Sequence, residues 1–300
     1  MTYLLPLLTI LIWAGNTIVT KVAADWIAPA EIGFYRWLLA GLLFTPFLLR
    51  PVLANRRVIA ASLGKIAVLG VLGMALYQSA AYFAATRTSA THMAIIMSLV
   101  PIITLAMTIV SLKQRLTYGA LIGAVVSFLG VLLVVSQGDL GLLASQGVNE
   151  GDLVILIAGI AYAGYGTLLK KWHIPIPPLQ LLYLQIVVAV IAQFPLFAMS
   201  EKTGLNSHNI PLVLYACIPT SMLAPWLWMK AIALLGPSRA MLCFNLLPIL
   251  TILLAALTLG EHLAIYHVYG GLLTLGGVVL AERWRTPLRA TTPKAQRVSE

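Results

Sequence analysis

The side chains able to do chemistry in this chain are few, and they lie inside long apolar runs. Asn16, with Thr17 beside it, falls midway along the first run. Its amide can donate to and accept from a bound solute, or hydrogen-bond a neighbouring helix. Tyr162 and Tyr165 stand three residues apart in the sixth run, hence on one helical face. Their rings offer aromatic walls and their hydroxyls polar tips. Gln78 and Tyr82 are four apart in the third run and share a face with Met74, with Tyr77 off that stripe. His92 opens the fourth run and suits either a substrate or proton ligand, or a solvated or capping histidine. Ser98 and Asn245 each stand three residues before a proline, Pro101 and Pro248. Proline frees a carbonyl about one turn earlier. The pairing predicts two helices that bend as a cavity opens, with steady helix packing as the alternative.

Trp13, Trp226 and Trp228 add aromatic surface suited to planar apolar groups. Arg36 and Lys230 are the basic residues deepest in the runs. Arg36 reads as structural, bonding carbonyls or a lipid phosphate. Lys230 lies near the end of its run, where it can snorkel, draw in a substrate carboxylate or take part in coupling.

The missing groups narrow the chemistry. No Asp or Glu lies in the middle of any run, so no buried carboxylate relay is visible. GxxxxGK[ST], GxSxG and HExxH do not occur, and the five histidines form no cluster in sequence. Cys217 and Cys243 read as packing thiols. The expectation is no catalytic residue, no metal, no cofactor and no ATPase subunit.

The elements that carry these residues follow from composition. The chain is 60% hydrophobic and 9% charged, against about 25% charged residues in a soluble domain. Its net charge of +10 comes from Lys and Arg between the apolar runs, which reads as topology signals and lipid contacts rather than nucleic-acid binding. Ten runs long enough for spanning helices lie near 2–24, 30–50, 65–86, 89–112, 117–136, 151–171, 178–199, 210–235, 237–260 and 264–283. They lack the alternation of β-strands. The first run has no basic lead or small-residue cleavage site and reads as a span, not a removable signal. Lys and Arg concentrate in the even loops and tail, which places both termini in the cytoplasm.

The second half repeats the first. Trp13-Ala14-Gly15 answers Tyr162-Ala163-Gly164, and Pro29 and Pro46 answer Pro178 and Pro195. Pro101, Gly123 and Gly130 answer Pro248, Gly270 and Gly277. The division is a first five-helix repeat over 1–148, a second over 149–285 and a disordered cytoplasmic tail over 286–300. Five spans per half is an odd number, so the second half enters the bilayer from the other side. The expected fold is an all-α integral membrane protein, ten transmembrane helices in two inverted five-helix repeats around a central cavity.

These residues resemble the ten-helix EamA-type proteins of the drug/metabolite transporter superfamily. The likeness is carried by Trp13-Ala14-Gly15-Asn16…Lys21, Arg36-Trp37-Leu38-Leu39-Ala40-Gly41, Tyr82-Phe83-Ala84-Ala85 and Leu99-Val100-Pro101. In the second half it is carried by Trp228-Met229-Lys230-Ala231, Leu247-Pro248 and Leu259-Gly260-Glu261. Overall the chain looks most like the bacterial aromatic amino-acid exporters. The first half departs from its own repeat at Gln114, where the second half has Glu261. The resemblance implies a multi-pass carrier in the bacterial inner membrane that exports small metabolites. It also implies a cavity lined by helices one, three, four, six, eight and nine, with five and ten outside it. Its partners are a small solute and membrane lipids. Nucleosides, sugars and cationic drugs are alternative solutes, and an integral-membrane enzyme is a further alternative.

Overall fold

The computed structural model describes residues 3–23, 25–85, 87–88, 90–139, 141, 149–259 and 264–288, without the side chains of Lys21, Tyr82, Ala85, Ala90, Thr91, His92 and Leu259. Ten helical spans lie among these residues. They are α1 (Leu4–Ala23), α2 (Pro29–Ala54), α3 (Arg56–Gly70, Val71–Leu76 and Tyr77–Ala85) and α4 (Ala90–Ser98 and Val100–Leu112). Next come α5 (Tyr118–Val135), α6 (Glu150–Trp172), α7 (Pro178–Met199) and α8 (Ile210–Cys217, Ile218–Leu223 and Ala224–Leu235). The last are α9 (Pro237–Leu242, Cys243–Leu246 and Leu247–Leu259) and α10 (Ile265–Arg283). Nine of them, α2 to α10, are long and apolar enough to cross a membrane, and α1 carries a shorter apolar stretch, Leu4–Thr20.

The ends of these helices follow local chemistry. Pro29 and Pro178 open α2 and α7 at positions where a missing N–H costs nothing. Asn149 and Asp152 cap α6 reciprocally: each side chain accepts from the other's backbone N–H. Thr117 accepts from the Ala120 N–H at the head of α5. Gly236, at φ +84°, turns the chain from α8 into α9.

Two boundaries differ from expectation. The third run was expected to start near 65, yet α3 starts at Arg56, with only Asn55 between it and α2. Arg56 and Arg57 are exposed on its first turn, so a polar helical end extends the apolar span. Residues 286–288, the start of the tail expected to be disordered, lie against the head of α5. The Leu288 N–H donates to the Leu116 carbonyl, and the Tyr118 N–H to the Thr286 carbonyl. The second of these bonds satisfies an N–H that the α5 N-terminus leaves open.

Four helices interrupt their own ladder, and two do so alike. Val71–Leu76 in α3 and Ile218–Leu223 in α8 are π-helical turns separated by the same interval as Pro101 and Pro248. α9 tightens into a 3-10 turn at Cys243–Leu246 just before Pro248. α4 breaks at Leu99, just before Pro101.

Packing repeats as well. α1 packs between α8 and α9 as α6 packs between α3 and α4, and α2 lies against α7. α5 and α10 form the most extensive pair. They run antiparallel: Gly119 meets Trp284, Gly123 meets Gly277, and Gly130 meets Gly270.

Tyr3, Asn55, Gln114, Gln180, Arg239 and residues 284–288 gather at one end of the bundle, here the N-terminal face. There Asn55 donates to Gln180 (2.8 Å), Ser238 donates to Gln114 (3.2 Å), and Arg239 pairs with Glu282 (3.6 Å). At the far face, Arg87 pairs with Glu150 (2.6 Å), and Glu31 accepts from the Thr203 and Gly204 N–H groups.

Candidate functional site

One cavity of about 280 Å3 stands out, and its walls identify the helices that build it. α1 supplies Trp13, Asn16, Thr17 and Thr20; α3 supplies Gly73, Met74, Tyr77, Gln78 and Ala81; α6 supplies Tyr162 and Tyr165. α8 adds Thr220, Pro225 and Trp228, α9 adds Phe244 and Leu247, and α4 adds Met93. These are the six helices implied by resemblance. α2 joins them through Arg36 and Trp37, which was not expected. α5 and α10 contribute nothing to the lining among the described residues.

The lining residues occupy the later part of α1 and α3 and the early part of α2 and α4. The cavity therefore runs from mid-bundle towards the far face. Its floor is aromatic. Tyr162 is the hub, with ring centroids 4.7 Å from Tyr77, 5.8 Å from Tyr165 and 5.8 Å from Phe244. Trp13 lies 5.3 Å from Trp228 and 6.0 Å from Phe244. Below the floor, Ala240 and Met241 are fully buried, and the Thr108 and Ser238 hydroxyls lie 2.6 Å apart.

The π-helical turns shape this space. A Cβ on Gly73 would stand 2.6 Å from the Tyr165 ring, so glycine lets the α3 turn press against that ring. The extra residue per turn also rotates the helix beyond it. Tyr77, expected off the Met74–Gln78 stripe, lines the cavity with both, standing three residues on from Met74.

Of the residues expected at a binding site, the cavity gathers Trp13, Asn16, Gln78, Tyr162, Tyr165 and Trp228. The side chains of Tyr82 and His92 lie outside the described residues, as do those of Lys21 and Glu261. Ser98 and Asn245 do not line the cavity. Ser98 donates to its own helix at the Ile95 carbonyl (2.6 Å), and Asn245 donates to Ser127 on α5 (3.0 Å). Both serve the interrupted helices rather than the central space. Lys230 also stays outside, its ammonium 3.6 Å from the centre of the Trp226 ring. Trp226 is thereby engaged away from the cavity.

Pro101 and Pro248 each occupy the second position of a helical segment that follows an interruption. Their missing N–H groups fit these breaks. Replacing both by alanine is expected to restore a continuous ladder and slow transport several-fold. Rates measured in vesicles at matched protein levels check this, and unchanged rates would remove a hinge role.

Missed by sequence reasoning were Arg36, Trp37, Tyr77, Thr220 and Phe244. Arg36 is 3% exposed; its Nε donates to Ser221 Oγ at 2.7 Å, and its guanidinium lies 5.2 Å from the Trp37 ring centre. Arg36 was expected to bond carbonyls or a lipid phosphate; its Nε bonds a hydroxyl instead. The usable signal was its depth within an apolar run. Cys217 and Cys243 are buried free thiols.

Known proteins share this arrangement. An uncharacterized transporter from Archaeoglobus fulgidus is 28% identical, covering 93% of this chain and 96% of the relative. The uncharacterized transporter YyaM of Bacillus subtilis is 25% identical, covering 90% of each chain. A probable terminal-alkyne amino-acid exporter of Streptantibioticus cattleyicolor is 22% identical, covering 92% of this chain and 91% of that one. A solved crystal structure at 15% identity superposes with a TM-score of 0.72 over 93% of this chain and 96% of the other, which shows the fold. The description "EamA-like transporter family" matches twice, over residues 1–136 and 149–282. With nine apolar spans and a match over both halves, this is a multi-pass membrane protein, and the chain belongs to the EamA-like transporter family.

Proposed function

We propose that this transporter exports small metabolites, chiefly aromatic and other neutral amino acids, from the cytoplasm across a bacterial inner membrane by alternating access. The observation that carries the reading is the cavity: central, aromatic-floored, and of a size for one amino acid, near the lower end of the roughly 300–1,000 Å3 of ligand pockets. Solute would stack on Trp13, Tyr162 and Trp228 and hydrogen-bond Asn16 and Gln78.

The two-half reading is supported by the antiparallel α5–α10 pair. Gly123 meets Gly277 while Gly130 meets Gly270, so equivalent residues exchange partners across one two-fold axis. Such an axis lies across the helices, as inverted repeats require. The Lys and Arg bias sets the N-terminal face in the cytoplasm. That face is closed by the Thr108–Ser238 and Arg239–Glu282 contacts, so the cavity here addresses the outer side. Rocking of one half against the other would carry it inward. The relative named as an amino-acid exporter is in keeping with this substrate class. A cationic-drug specialist fits less well, because Arg36 stands in the cavity wall.

The test is efflux from liposomes loaded with one labelled amino acid at a time, with and without a pH gradient. Trp, Phe, Tyr or other neutral amino acids are expected to leave protein-containing vesicles down their gradient. If none moves under either condition, the amino-acid reading falls.

A further inference from the structure

We propose that Arg36 is the carboxylate anchor of the cavity, held in place by Ser221 on the π-helical turn of α8, so that the site selects solutes bearing a carboxylate. This deepens the amino-acid reading and rests on it for the identity of the rest of the solute.

Arginine stays charged at any relevant pH and cannot escape burial by losing its proton. Arg36 is nonetheless almost fully buried within an apolar span. Among the described residues its guanidinium makes one hydrogen bond, through Nε to Ser221. The ion pairs among those residues are Arg87–Glu150, Arg239–Glu282 and Arg285–Glu282, and all lie at the ends of the bundle. Arg36 thus lines the cavity as a cation without a protein anion. An isolated buried charge is strongly destabilising unless something compensates it. The two terminal nitrogens form the planar fork that matches a carboxylate.

Ser221 fixes the direction of that fork. Its hydroxyl donates to the Ala216 carbonyl five residues back, at 2.8 Å. Having spent its proton there, Ser221 can only accept towards Arg36, which can only donate. The relay Arg36 Nε to Ser221 Oγ to Ala216 O therefore has one polarity. It ties the guanidinium to the part of α8 whose backbone ladder is already widened.

At the equivalent place in the other half, the described residues offer no second anchor. Gln185, at the place of Arg36 in the repeat, is a neutral amide that accepts from Tyr165 Oη at 3.3 Å. Among the described side chains, positive charge in the lining is therefore confined to Arg36. On α1, Asn16 Oδ1 is a buried acceptor with no partner among the described residues, and Asn16 lines the same cavity. It suits an ammonium. Together the two groups would orient a zwitterion.

The experiment follows the tryptophan emission of the intact reconstituted protein, since Trp13, Trp37 and Trp228 line the cavity. It is titrated with phenylalanine, phenylalaninamide and phenylacetate. In the wild type the amide is expected to bind about ten- to hundredfold more weakly than the acid, the worth of charge-assisted hydrogen bonds. Arg36→Gln should erase that difference, and Arg36→Lys should keep part of it as a point charge. Ser221→Ala should narrow it. If Arg36→Gln does not fold, the wild-type comparison and Ser221→Ala carry the test. Equal binding of acid and amide by the wild type, or an undiminished preference in folded Arg36→Gln, overturns the anchor and leaves the amino-acid reading standing. A response to phenylacetate that requires Arg36, with none to phenylalanine, keeps the anchor and removes the amino acid. No response to either acid removes both.

Discussion

Gly277→Leu is expected to abolish recovery of folded protein, while Gly276→Leu, one residue away, leaves it unchanged. A Cβ on Gly277 would stand 2.5 Å from the Gly123 carbonyl oxygen and would also strike the Ser127 backbone nitrogen. These neighbours are main-chain atoms of α5 and cannot swing aside. A leucine there forces the two helices apart over their full contact. Ordinary overpacking of a core costs about 1–3 kcal/mol, because side chains can shift. Here none can, so the loss exceeds that range and removes the most extensive helix pair among the described residues. Lipid offers no hydrophobic drive to restore it, since membrane helices associate through close packing of small residues. Gly276 has nothing within 4 Å of its would-be Cβ, and leucine is the better helix former. Size-exclusion profiles and thermal unfolding of detergent-extracted protein check both variants. The repeat makes a further demand: Gly130→Leu must fail as Gly277→Leu does, because a Cβ there would stand 2.5 Å from the Thr274 nitrogen. Recovery of one but not the other would break the equivalence of the halves.

Those glycines also mark how far the sequence could be read. Gly123 and Gly130 were visible as matches to Gly270 and Gly277, because a repeat leaves like residues at like spacing. That each would meet its partner's partner across an antiparallel pair depends on how the halves dock, which no spacing within one half encodes. Helix ends were legible where Pro or Gly stops or starts a ladder, as at Pro178 and Ile210. They were misjudged at α3, where exposed arginines continue the helix. Trp13 and Tyr162 were found because they hold the same place in two similar segments. Tyr77 was missed because the stripe was drawn through steps of four alone; three residues from Met74, it falls on the same side of the helix. Arg36 was assigned to structure because it sits in the Arg36-Trp37-Leu38-Leu39-Ala40-Gly41 motif; its depth was legible, but its place in a cavity wall shows only once α2 is seen against α8. Ser98 and Asn245 looked functional for their place before proline. Their polar groups answer a helix carbonyl and a hydroxyl of α5, needs created by the very breaks that made them conspicuous.

Tyr162→Ala is expected to lower transport at least about tenfold, equivalent to about 1.4 kcal/mol, while the protein still folds. Tyr162 touches the rings of Trp13, Tyr77, Tyr165, Trp228 and Phe244, so it alone links the aromatic surfaces of five helices. Truncating a buried aromatic in a closed core costs about 3–5 kcal/mol, mostly through the void it leaves. Here the void joins an existing cavity, so the stability loss falls below that range, and the damage goes to solute contact instead. Trp13 and Trp228 would face a widened floor on which a planar side chain no longer fits between rings. Tyr162→Phe separates ring from hydroxyl. The Tyr162 hydroxyl makes no hydrogen bond among the described residues, so the phenyl variant should move aromatic solutes at close to the wild-type rate. Efflux from vesicles carrying matched amounts of each variant measures both. Wild-type rates for the alanine variant would mean that solute does not pass this floor, and the central cavity would lose its place as the transport route. A phenylalanine variant as slow as the alanine one would instead assign the step to the hydroxyl, making the contact a hydrogen bond to solute rather than a stacking surface.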